Sequence, residues 1–159
     1  MKRIVVLLML VVFSLGVHAQ NHKGDSSFGL NLGYGFDSEN VTLGLDYRIN
    51  FTDAVRFAPS ITHFVKDNGL SAWMIDVNAH YVFPLSEYFG FYPLAGLSLG
   101  FWKASAGGWS HNDTRFGANL GLGGEVYASK EITLGLEVKY NIVKDIDQAL
   151  IAFRVGYNF

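Results

Sequence analysis

The chain has 159 residues, half of them hydrophobic, 15 % aromatic and only 16 % charged, with no cysteine and a formal net charge of −2. The missing cysteines exclude disulfides, thiolate metal sites and an acylated cysteine, and the acidic balance argues against a nucleic-acid partner, which calls for a basic patch. A chain this apolar, without a second long hydrophobic run after residue 19, has few ways to fold other than as membrane-crossing strands.

At the amino end, Lys2 and Arg3 precede an apolar run over 4–17, and Val17-His18-Ala19 offers the small residues a signal peptidase requires. The run falls short of the roughly 20 residues a spanning helix needs. We read 1–19 as a cleaved signal peptide. One domain, 20–159, remains, with ten basic against fourteen acidic residues. Residues 20–26 form a polar lead-in. The stretch 27–36 then alternates large apolar residues (Phe28, Leu30, Leu32, Tyr34) with small ones (Gly29, Asn31, Gly33, Gly35). Such a period of two is a strand with two unlike faces. The pattern recurs over 41–49, 55–64, 72–83, 89–102, 114–127, 132–141 and 148–159. These are eight segments of about 9 to 14 residues, the length a tilted membrane strand requires. Pro59 and Pro93 fall inside two of them, where bulges are expected because proline cannot donate to the ladder.

The connections sort by end. Those at 50–54, 84–88 and 128–131 are short, whereas 65–71, 103–113 and 142–147 are longer and join the 37–40 turn at the opposite end. With the amino end on the periplasmic side, the short turns are periplasmic and the long loops extracellular. The loop over 103–113 is the longest, and Trp109 and His111 are its candidates for an extracellular contact. A soluble lipocalin-like barrel has the same periodicity. It is disfavoured because its interior could not hold the large apolar phase of eight strands. It would also leave the glycine-rich phase in water. The apolar phase therefore faces outward, and the small and polar phase fills the lumen.

The carboxy terminus carries Phe153, Val155, Tyr157 and Phe159 at alternate positions. It resembles the terminal strand that assembly machinery reads in bacterial outer-membrane barrels. Across 20–159 the chain resembles the small eight-stranded outer-membrane barrels of the OmpA-transmembrane-domain and OmpX type. The resemblance implies an all-β, antiparallel up-and-down transmembrane barrel in the cell outer membrane of a Gram-negative bacterium. Its implied partners are outer-membrane lipid, lipopolysaccharide and, during insertion, the barrel-assembly machinery.

The inward phase carries Asp46, Asp76, Glu125 and Glu137 with Arg48, Arg56, Arg115, Lys139 and Arg154. Four acids against five bases suit a network of ion pairs better than a selective pore, which favours one sign. Arg48 and Arg56 meet across the 50–54 turn, so Asp46 or Glu125 must neutralise them. No catalytic, metal or cofactor site is expected. Some outer-membrane barrels deacylate lipid A with a His and a Ser two residues apart, but none of His22, His63, His80 or His111 has that neighbour. His80 with Asp76 supplies two metal ligands where about four are wanted. The expected function is a structural or adhesion-type scaffold with a filled lumen that displays extracellular loops. The alternative is a narrow porin or small-solute transporter, and the sequence names no extracellular ligand.

Overall fold

A computed structural model describes residues 23–67, 70–106, 109–143 and 147–159; for 66, 67, 70, 71, 103–106 and 109–112 it describes the backbone alone. The expected signal peptide over 1–19 lies outside the described residues.

The strands are β1 (Ser26–Gly35), β2 (Asn40–Asn50), β3 (Val55–Asp67), β4 (Leu70–Tyr81), β5 (Phe83–Pro84), β6 (Phe89–Ala106), β7 (Trp109–Tyr127), β8 (Ile132–Val143) and β9 (Gln148–Asn158). Each pairs antiparallel with its sequence neighbours, except that β4 and β5 both lie along β6 and together make one stave. The ring closes where β1 pairs with β9, from Ser27↔Asn158 to Gly35↔Leu150. The result is a closed up-and-down barrel of eight staves, without a free edge along its wall.

Alternation sets the two faces. On β1, Phe28, Leu30 and Leu32 are 60 %, 65 % and 56 % exposed. Arg48, Arg56, Asp76, His80, Glu125 and Arg154 are buried. The large apolar phase is therefore outside and the polar phase inside, the reverse of a soluble barrel.

The three turns at the end that carries the termini are built alike. In 51–54, 85–88 and 128–131 the first two amides bond back to the residue that opens the next strand: Phe51 and Thr52 to Val55, Leu85 and Ser86 to Phe89, Ala128 and Ser129 to Ile132. The hydroxyl of Thr52, Ser86 or Ser129 then accepts two further amides, at 2.8–3.2 Å. A short hydroxyl side chain competes well for nearby backbone groups, so one Ser or Thr per turn fixes all three.

The structure corrects two expectations. Neither proline produces a bulge. Around Pro59 the β2–β3 register passes from Asp46↔Ser60 to Ile49↔Phe57 without a shift, and only the intervening ladder pairs are missing. Pro93 lies opposite the break between β4 and β5, and the register on either side of it is likewise continuous. A missing donor thus removes bonds without adding a residue, and the Val82 amide at that break bonds to the Ala54 carbonyl at 2.7 Å. The described register shift is in β3–β4, between Phe64 and Asp67. The long loops are also shorter than expected. β6 and β7 stay paired through Lys103↔Asn112, Ala104↔His111, Ser105↔Ser110 and Ala106↔Trp109. The expected loop over 103–113 is therefore mostly a β-ribbon. Backbone bonds in a one-to-one antiparallel register continue after the apolar alternation ends, and the alternation was the signal used to end the strands.

Candidate functional site

The lumen is the site. At the end that carries the termini, Glu125 on β7 sits between two arginines. Its Oε1 is 2.8 Å from Arg56 Nη1 and its Oε2 is 3.2 Å from Arg48 Nη1, and the Tyr127 hydroxyl donates to Oε1 at 2.9 Å. Arg48 reaches on to Glu137 Oε2 at 3.2 Å, which also accepts from the Tyr92 hydroxyl at 3.0 Å. Asp46 Oδ2 lies 3.6 Å from Arg48 Nε. The Tyr92 ring, on β6, lies beneath both guanidinium groups, 4.8 Å from Arg56 and 5.3 Å from Arg48. On the same ring, His80 stacks at 4.5 Å with planes 8° apart. Arg56 Nε and Nη2 both face His80 Nδ1, at 3.3 and 3.2 Å. A nitrogen that faces guanidinium donors must accept, so the imidazole is neutral with its proton on Nε2. The sequence placed His80 beside Asp76 and Asn78; its polar contact runs instead to Arg56.

Midway along the barrel, Arg154 on β9 clasps Asp46 on β2, and Lys139 on β8 pairs across the lumen with Asp76 on β4. A run of amides fills the space beside them. Asn141 donates to Ser98 and to Asn119, each at 2.6 Å, and Asn119 donates to Asn78 at 2.9 Å. Together these groups connect the staves of β4, β6, β7 and β8 across the interior.

The far end is closed differently. Phe64, Ala72, Met74, Trp102 and Leu150 are buried together, with the Phe64 and Trp102 rings 5.7 Å apart. Between the two closures lies a cavity of about 40 Å³, bordered by Asn31, Thr42, Asn78, His80 and Lys139. At roughly 10–15 Å³ per water it has room for about three. Arg48 and His80 line this cavity, and the buried Arg48 Nε and His80 Nε2 have no hydrogen-bond partner among the described residues; water is the natural acceptor for both.

Asp46, Arg48, Arg56, Asp76, Glu125, Glu137, Lys139 and Arg154 are thus brought into the interior. Arg115 is not. Its Nε holds Asp113 on the same strand at 2.7 Å, with the two side chains 29 % and 37 % exposed. It stands ten positions from Glu125 along β7, about 33 Å at roughly 3.3 Å per residue, too far to join the arginine cluster. Four acids then meet four bases, a balanced set. The backbones of Trp109 and His111 stand at the tip of the β6–β7 ribbon, and their side chains lie outside those described. Phe153, Val155, Tyr157 and Phe159 all project outward, and Phe159 stacks on Phe28 at 5.7 Å. Sequence reasoning missed Tyr92, Tyr127 and the apolar closure. The available signal was a set of large side chains in the otherwise small inward phase.

The sequence matches the family model for the outer membrane protein beta-barrel domain over residues 6–159. No curated protein sequence matches it. Among solved structures, the N-terminal β-barrel domain of Pseudomonas aeruginosa OprF is 18 % identical with a TM-score of 0.76, covering 86 % of this chain and 98 % of that one. Ail, the attachment invasion locus protein of Yersinia pestis, is 22 % identical at TM-score 0.64, covering 86 % and 99 %. The outer membrane protein OprG of P. aeruginosa is 13 % identical at 0.60, covering 89 % and 99 %. At these identities the likeness is one of fold.

Proposed function

The chain belongs to the outer membrane protein β-barrel family, an outer-membrane protein by that membership, and from this premise we propose that it is a non-conducting scaffold which holds its far-end hairpins outside the cell. The observation that carries the proposal is Glu125, buried between Arg48 and Arg56 with Tyr92 beneath them. An eight-stranded barrel is just wide enough for its own side chains to fill. A solute entering at that level must separate a buried ion pair, which costs several kcal/mol. Single-channel recording on refolded protein in planar bilayers tests this. The expected result is no steady current; stable ohmic channels would make the protein a narrow porin or small-solute transporter instead.

In this reading residues 1–19 are removed on export, and the end with the termini and its three hydroxyl-capped turns faces the periplasm. The outward face meets outer-membrane lipid and lipopolysaccharide. The assembly machinery reads Phe153, Val155, Tyr157 and Phe159 during insertion. Ail is by its name an attachment protein, and an adhesive use of the displayed end fits the same architecture. Here, however, the displayed end includes the paired β6–β7 ribbon, which carries Trp109 and His111 at its outer end. The mature protein is expected to begin at Gln20 and to fractionate with outer membranes, and amino-terminal sequencing checks the first point. Deleting Phe159 is expected to lower insertion in cells.

A further inference from the structure

Seven of the eight joints between staves are closed by a hairpin, and the eighth, between β1 and β9, joins strands at opposite ends of the chain. On the lumen side a charged side chain spans that seam. Arg154 leaves β9, passes over β1 and grips Asp46 on β2: its Nε lies 2.9 and 2.8 Å from the two carboxylate oxygens, and its Nη2 lies 2.7 Å from Oδ1. On the way Nη2 also donates to Ser27 of β1, at 3.1 Å. Asn31, also on β1, donates to Asp46 Oδ2 at 3.0 Å and holds the carboxylate in place. All three strands at the closure therefore meet at one carboxylate.

The seam is shaped for this contact. Gly29 and Gly156 face each other across it, and Gly29 also faces Asp46 on β2. A Cβ at Gly29 would stand 2.5 Å from Asp46 Oδ1 and 2.6 Å from Arg154 Cζ, and one at Gly156 would stand 2.7 Å from Arg154 Cζ. The guanidinium occupies the space two side chains would need. We infer that Arg154, Asp46 and Ser27, laid across Gly29 and Gly156, form a closure clasp that locks the first strand to the last. Because Asp46 lies one strand beyond the seam, the contact exists only in the closed ring. In an open sheet, Arg154 stands on one edge strand and Asp46 one strand in from the other edge. The clasp acts on opening, holding a joint that has no covalent turn behind it.

Hydrogen exchange of refolded protein in micelles, read amide by amide, tests the inference. In Arg154→Met, protection along the β1–β9 ladder is expected to fall about tenfold or more, while the β3–β4 ladder stays within about twofold. Gly29→Ala, which displaces the guanidinium without removing it, is expected to give the same seam-selective loss. Lys139→Met breaks the pair with Asp76, which lies in the β3–β4 ladder itself, and is expected to lower protection on that ladder at least as much as along β1–β9. Equal loss on both ladders in Arg154→Met, or no loss on either, overturns the clasp. Should Arg154→Met not refold, Arg154→Lys keeps the charge but loses the two-pronged grip. A seam-selective loss there, smaller than tenfold, supports the clasp, and a ratio equal to that of the unmodified protein overturns it.

Discussion

The two ends of the lumen are closed by opposite means. Near the termini, Glu125, Arg48 and Arg56 lock together with Tyr92, and each contact depends on direction and partner. At the far end, Phe64, Met74, Trp102 and Leu150 close the barrel by burying area. A buried ion pair is close to neutral when intact and costly when one partner is removed. An apolar cluster loses stability in proportion to what is cut away. The first closure fixes one arrangement of side chains; the second tolerates repacking. If the proposed non-conducting reading holds, a barrel with both closures needs neither a plug domain nor an inserted loop to block the lumen.

The largest expected effect breaks the charged end. Glu125→Ala removes the one carboxylate that both arginines share, and Arg56 then retains only His80 and the Tyr92 ring among its described contacts. A loss of about 3–5 kcal/mol is expected for a buried charge orphaned in this way. Urea unfolding in micelles, followed by the shift in gel mobility on unfolding, measures it. A loss below about 1 kcal/mol would mean that solvent screens the site, and the lumen would then be a wet channel.

The apolar end comes next. Phe64→Ala leaves a hole against Trp102, and a loss of about 3 kcal/mol is expected for deleting a buried ring. The same unfolding experiment reads it. The comparison becomes sharper when conductance is measured too. Phe64→Ala alone opens only the far end and Glu125→Ala only the other, so each is expected to be silent in a planar bilayer. The double variant is expected to leak. Steady currents from Phe64→Ala alone would show that the charged end is no seal.

The two ends were unequally legible. Charges recurring at every second position put Arg48, Arg56, Glu125 and their partners in one phase, and the opposite apolar phase is too bulky for an eight-stranded interior, so the charged phase could be placed inside. The outward face was legible for the same reason. The apolar closure was not, because Leu150 reads as an exception in its own strand, and Trp102 and Met74 do so in theirs. They become a cluster only through cross-strand register: Phe64↔Ala72, Ala72↔Trp102 and Gly35↔Leu150. Register in a barrel is set by shear, which periodicity does not carry. Arg115 failed in the converse way. Its phase is right, but its height along β7 puts it at the rim. The ribbon over 103–113 was read as a loop because pairing persists there without apolar alternation.

Within the charged end, Glu137 provides a graded test. It holds Arg48 Nη2 and the Tyr92 hydroxyl, but Arg48 keeps Glu125 and has Asp46 nearby. Glu137→Ala therefore deletes charge-assisted hydrogen bonds without orphaning an arginine, and a loss of about 1.5–3 kcal/mol is expected. The ordering matters more than either value. If Glu137→Ala costs more than Glu125→Ala in the same unfolding assay, the bridge between the two arginines is not the centre of the network.

The smallest expected effect probes the apolar end at the indole nitrogen of Trp102. Trp102 Nε1 is buried without a hydrogen-bond partner among the described residues. An unmade buried donor carries a desolvation cost of about 1–3 kcal/mol. Trp102→Phe deletes that donor and keeps one ring against Phe64, at the expense of the second ring's area. Losing part of a buried aromatic costs a similar amount, so the two terms oppose each other and the net change is expected to stay within about 1 kcal/mol of zero. The same unfolding curve decides it. A loss above about 2 kcal/mol would show that Nε1 has a partner, water included, and that the far end relies on a polar contact after all.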